Sequence, residues 1–158
     1  MQHGYRGYEM NERTNKGYHR ICNAIVLAVI LVTAALSSGC ATTLRFSVTA
    51  EADTNKNAPV YLVVRSVDGQ AFLAEHYNAV AEKVFQGVPD KSILERKIIF
   101  PGQSETIQIE TPAEGNLGVY ILFSEPGENW RIPLQAPFPE EVLISLGKNQ
   151  IRRVQIRR

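Results

Sequence analysis

Beyond Cys40 the chain is cut by turn residues into short apolar stretches, and that spacing constrains the fold more than any other feature. Leu44, Phe46, Val48 and Ala50 alternate with Arg45, Ser47 and Thr49, the period of two expected of a half-buried strand. Val60 to Val67 is an unbroken run rich in β-branched residues, suited to a central strand buried on both faces. Further strands are expected at Leu94–Phe100, Thr106–Ile109, Leu117–Phe123, Trp130–Leu134, Val142–Leu146 and Ile151–Ile156. Asp68-Gly69, Pro101-Gly102, Thr111-Pro112, Pro126-Gly127 and Gly147-Lys148-Asn149 break the chain between them. One segment departs from this rhythm. From Gln70 to Gln86, Leu73, Tyr77, Val80 and Val84 recur every three or four residues, which predicts a single amphipathic helix ended by Gly87 and Pro89. The expectation is an all-β, antiparallel two-sheet sandwich with one inserted amphipathic helix.

The first 39 residues follow another logic. Arg13, Lys16 and Arg20 precede an apolar run from Ile21 to Leu36 of about 16 residues, short of the roughly 20 that a spanning helix needs. The run closes on Ser37-Ser38-Gly39-Cys40. Small residues before a cysteine let a signal peptidase close on the backbone, and the Cys40 thiol is then the acceptor of a diacylglyceryl group. Residues 1–39 therefore read as a lipoprotein signal peptide, with Met10 a second possible start, and residues 40–158 as one lipid-anchored domain. Several acyl chains on one residue anchor stably where a single chain is marginal. Ala41 rather than Asp follows the cysteine, which points to the inner leaflet of the outer membrane, with the domain facing the periplasm.

The domain of about 119 residues leaves little room for chemistry. Four basic and two acidic residues lie before Cys40, leaving 13 Lys and Arg against 14 Asp and Glu, a balance that gives nucleic acid no purchase. Cys22 and Cys40 are the only cysteines, so no disulfide is available after processing. His76 is the single histidine after Cys40, too few for a His/Cys zinc site or a convincing Ser-His-Asp triad. No phosphate-cradling glycine loop is present. The reading is a non-enzyme without cofactor or metal. The Arg152, Arg153, Arg157 and Arg158 set in the last strand reads chiefly as charge that blocks edge-to-edge pairing.

An ordered series of residues then suggests a family. The cysteine is followed by a strand, an Asn/Asp-rich loop, Pro59 and a Val-rich strand carrying Arg65, then a helix with Phe72. Glu95, Pro101-Gly102, Leu117-Gly118-Val119-Tyr120, Trp130-Arg131-Ile132-Pro133 and the Lys148-Asn149-Gln150 hairpin complete it. Across the whole domain this resembles the outer-membrane lipoprotein of type VI secretion systems, the TssJ (VasD, Lip) family. The resemblance implies a transthyretin-like sandwich. It also implies docking of the periplasmic C-terminal domain of the inner-membrane protein TssM, with TssL an indirect partner. In the family the loop between the first two strands helps to grip TssM. Carried onto this chain, that loop makes Glu51, Asp53, Thr54, Asn55, Lys56 and Asn57 candidate contacts. The alternative is a lipid-anchored module for a cell-wall or glycan ligand, in which Trp130, Tyr120 and Tyr77 would line an open stacking groove.

Overall fold

A computed structural model describes residues 42–88 and 90–158. The expected signal peptide and the expected acylation site, Cys40, lie outside the described residues. Eight strands build two four-stranded sheets: β1 (Thr42–Ala50), β2 (Val60–Ser66), β3 (Ile93–Ile99), β4 (Ser104–Thr111), β5 (Asn116–Leu122), β6 (Arg131–Gln135), β7 (Glu141–Leu146) and β8 (Ile151–Arg157). The first sheet runs β4-β1-β7-β8 and the second β3-β2-β5-β6. The sandwich is therefore as expected, with one pairing that is not: β1 and β7 are parallel. The preceding strand, β6, lies in the other sheet, so the chain re-enters the first sheet at the end where β1 also starts.

Alternation does the sorting. Leu44, Phe46 and Val48 of β1, Ile107 and Ile109 of β4, and Val142, Ile144 and Leu146 of β7 face inward. They meet Leu62 and Val64 of β2 and Leu117, Val119 and Ile121 of β5. Each such side chain contributes about 1.5–3 kcal/mol relative to exposure. The other face of the second sheet is covered as well. Val63, Tyr120 and Leu122 look outward there and pack under Phe72, Val80 and Val84. Both faces of β2 and β5 are thus buried, which explains their near-continuous apolar runs. Gly118 is required by this layer, because a Cβ there would collide with the ring of Tyr120.

The expected single helix is two. Helix α1 (Gly69–Ala74) is capped by Asp68, whose carboxylate accepts from the amides of Gln70 (2.8 Å) and Ala71 (3.3 Å), and α2 spans Tyr77–Phe85. Glu75 and His76 between them are extended. The break changes the phase of the apolar face: Leu73, expected inside, is 75% exposed, and Phe72 is buried instead. The physical reason is Glu75, whose carboxylate is drawn inward onto three partners.

Candidate functional site

Registers fix the two ends of the sandwich. Val60 starts β2, Ser104 starts β4 opposite Thr49, Tyr61 pairs with Leu122, and Ala50 pairs with Leu146. The segments after β1, β5 and β7 therefore meet at the Ala50 end. The loop Glu51–Ala58 and the turn Pro126–Asn129, distant in sequence, are brought together there with the hairpin 147–150.

Their junction is Asn55. Its amide donates to the Lys148 carbonyl (2.6 Å), its side-chain Nδ2 donates to the Pro59 carbonyl (2.7 Å), and its Oδ1 accepts from the Ser124 amide (2.7 Å). One residue thus ties three loops, its side chain joining Pro59 and Ser124 and its backbone amide joining Lys148. The turn that holds it is left-handed over three consecutive residues, with φ 52° at Asn55, 57° at Lys56 and 64° at Asn57. Asparagine tolerates that region, whereas lysine does not favour it, and such positions persist where surrounding bonds over-determine them. Two further backbone bonds, Gly127 to Asn149 (2.8 Å) and Ile151 to Asn129 (2.7 Å), lock the neighbouring loop to the hairpin.

What this end presents follows from burial. Thr54 and Asn55 are buried, with Thr54 Oγ1 donating to the Leu146 carbonyl at 3.3 Å. The expectation that both belong to an exposed contact loop is corrected: they hold the loop. Glu51, Asp53, Lys56 and Asn57 are exposed. Glu51 pairs with Arg152, and Lys56 pairs with Glu125 at 2.6 Å. The Lys56 ammonium holds the Glu125 carboxyl below its ordinary range. A cleft of about 190 Å³ lies between Lys56, Ser124, Glu125, Lys148 and Asn149.

A second polar centre lies under the helices and escapes a reading of sequence. Glu75 accepts from Arg65 Nη1 (2.7 Å), Lys83 Nζ (3.0 Å) and Tyr120 Oη (2.5 Å). Burial pushes its carboxyl up, but the Tyr120 hydroxyl, Arg65 and Lys83 outweigh burial and hold it below the usual range. Arg131 closes the layer from β6, donating to the Glu75 (2.8 Å) and Leu73 (3.4 Å) carbonyls and lying over the rings of Phe72 and Trp130. The signal for this centre was Arg65, a lone charge in an apolar run. Every polar group here is consumed by another, which makes the cluster structural.

The aromatic residues decide against a glycan groove. Tyr120 is fully buried, and Trp130 is half-buried between Tyr77 (ring centroids 5.1 Å) and Tyr120 (5.8 Å). Burial pushes the Tyr77 hydroxyl up to about 12, and it donates to the Phe123 carbonyl. His76 is exposed at the start of α2. Among the described residues no group of His, Cys, Asp and Glu has the arrangement to hold a metal, and no helix is long and apolar enough to cross a membrane.

Solved structures share this architecture. The lipoprotein TssJ1 of the Pseudomonas aeruginosa type VI secretion system is 20% identical, with 74% of this chain and 97% of that one covered at a TM-score of 0.58. Lip of Serratia marcescens, a membrane-bound component of such a system, is 20% identical over 72% and 98%, also at 0.58. A chain in a structure described as the TssM C-terminal domain from EAEC is 21% identical over 71% and 99%, at 0.51. At these identities the likeness is one of fold. No curated protein matches the chain. The family described as the IglE N-terminal domain matches residues 61–146, which reach from β2 to the end of β7. That match spans more than half of the sequence, and the chain belongs to this family.

Proposed function

We propose that this protein is a lipid-anchored tether of a type VI secretion membrane complex, held by acylated Cys40 in the inner leaflet of the outer membrane. Its Ala50 end docks the periplasmic domain of a TssM-type inner-membrane protein. The observation that carries this reading is the three-loop junction at Asn55, which lies at the end of the sandwich opposite Thr42. An anchor two residues before Thr42 leaves that junction as the surface farthest from the lipid. β1 separates the two ends by nine residues, roughly 30 Å at the strand rise. Preorganised loops lose little freedom on binding, so contact energy is not consumed in ordering them. Asp53, Lys56 and Asn57, with Glu125 and Lys148 beside them, are the proposed contacts; Glu51 joins them at the rim through Arg152. No step of chemistry is asked of the domain, which acts by binding.

Two experiments test this. Calorimetric titration with the C-terminal periplasmic domain of the cognate TssM-type protein should give saturable binding. The double variant Asp53→Lys, Lys56→Gly should weaken it at least about tenfold, or 1.4 kcal/mol, without lowering the melting temperature. Unchanged affinity in that variant would move the interface elsewhere, and absence of binding would remove the partner. Cys40→Ser should shift the protein from the membrane fraction to the soluble periplasm; continued membrane attachment would mean another anchor.

A further inference from the structure

The Thr42 end carries an apolar feature that the docking function leaves unused. Leu73, at the last turn of α1, is 75% exposed. It borders a groove of about 320 Å³ lined by Val67, Phe72, Leu117 and Leu134, with Asn116 and Gln135 at its mouth. Asn116 opens β5 and Gln135 closes β6, and the two are paired in register, so the groove lies at the Thr42 end. Pro112, Ala113 and Pro137, in the connections at that end, are exposed too.

Chain length decides what covers this face. Only Ala41 separates Cys40 from the first residue of β1. Two residues span at most about 7 Å, so an acylated Cys40 brings Thr42 down to the headgroups whatever path the backbone takes. There is no spacer long enough to lift the domain clear. The charges of this end lean negative: Arg157 is paired with Glu141 at 3.0 Å, and exposed Arg45 and Arg158 stand among exposed Glu110, Glu114, Glu140 and Asp68. They offer no attraction to an anionic leaflet, which leaves apolar burial beside the covalent anchor as the term that orients the domain.

We infer that the Thr42 end is a seat on the bilayer, with Leu73 and the rim of its groove entering the headgroup–acyl boundary. The inference rests on the acylation of Cys40 proposed above. The seat turns a flexible tether into an oriented one and fixes the Ala50 end away from the lipid.

The test exploits the cysteine content. After processing Cys40 is blocked and Cys22 is gone, so Leu73→Cys supplies the one free thiol. The processed, acylated variant is labelled there with nitrobenzoxadiazole and placed in vesicles of phosphatidylethanolamine and phosphatidylglycerol carrying a nitroxide near the glycerol. Asp53→Cys, at the Ala50 end, is the control. The expected result is blue-shifted emission and several-fold stronger nitroxide quenching for the label at position 73 than for that at 53. Equal, water-like emission at both positions, with acyl mass confirmed on Cys40, would overturn the seat and leave the anchor standing. Absence of acyl mass would overturn the anchor and the seat together. Shielding at position 73 without quenching by the lipid nitroxide would assign the face to a protein and overturn the lipid occupant.

Discussion

Asn55 and Glu75 solve the same problem at two places in this domain. Each is one polar residue, mostly hidden from water, that gathers three stretches of chain, Glu75 through its carboxylate alone and Asn55 through its side chain and its amide. Asn55 collects Pro59, Ser124 and Lys148; Glu75 collects Arg65, Lys83 and Tyr120. The difference is charge. Asn55 is neutral and its side chain bonds only to backbone, so losing that side chain leaves the Ser124 amide and the Pro59 carbonyl unmet. Glu75 is ionised and bonds to side chains, two of them cationic, so its loss strands charges already removed from water. A neutral tie suits a surface that must stay wet and available, whereas a charged tie suits a layer that has only to stay closed.

The largest expected effect comes from cutting the charged tie. Glu75→Ala leaves Arg65 buried without its main partner and should cost about 3–5 kcal/mol in denaturant unfolding. The contrast fails if that cost is no greater than for the neutral tie. Asn55→Ala should cost about 1–3 kcal/mol, the penalty for unmet buried backbone groups. It should also raise amide exchange together in the 51–58 and 124–130 segments, which its side chain joins, while the 147–150 hairpin keeps its bond to the residue 55 amide. Exchange confined to the first of these would mean that the loops are not coupled.

Acid sharpens the comparison further. The Glu75 carboxyl lies below its ordinary value in the folded protein, so its stabilisation is complete above the unfolded value near 4.5 and is lost as pH falls through the folded value. Stability should decline in that window, and the decline should be shallower in Glu75→Gln; Asn55→Ala should leave it unaltered. The smallest effect belongs to Lys56→Gly. Relief of the left-handed backbone, offset by the greater freedom of glycine when unfolded, should stabilise the domain by about 0.5–1 kcal/mol. A loss of stability would show that the strained turn is held by the Lys56–Glu125 pair after all.

The sheets were legible because alternation reports directly on which side of a strand meets the core, as in β1 and β7. The continuous runs of β2 and β5 signalled burial on both faces, and the helical layer is what buries the second face. The helix break was not legible. Leu73 fits the apolar period, and nothing local says that Glu75 will turn inward to meet Arg65, a residue brought close only by folding. Asn55 was misread for the same reason. In sequence a polar residue in an Asn-rich loop looks solvated, and its partners lie 69 and 93 residues further on. The parallel β1–β7 pair was beyond reach too, since it follows from which sheet β6 joins.

Strand β1 spans the domain from its first described residue to the edge of the loop junction, lying between β4 and β7. In the proposed tether, a pull between Cys40 and a partner at the loops would act along this strand. Its hydrogen bonds to both neighbours run across the line of force, and they would have to slide together rather than open one after another. In that role the strand that fills the core would also be the mechanical axis of the molecule, resisting tension without any covalent cross-link.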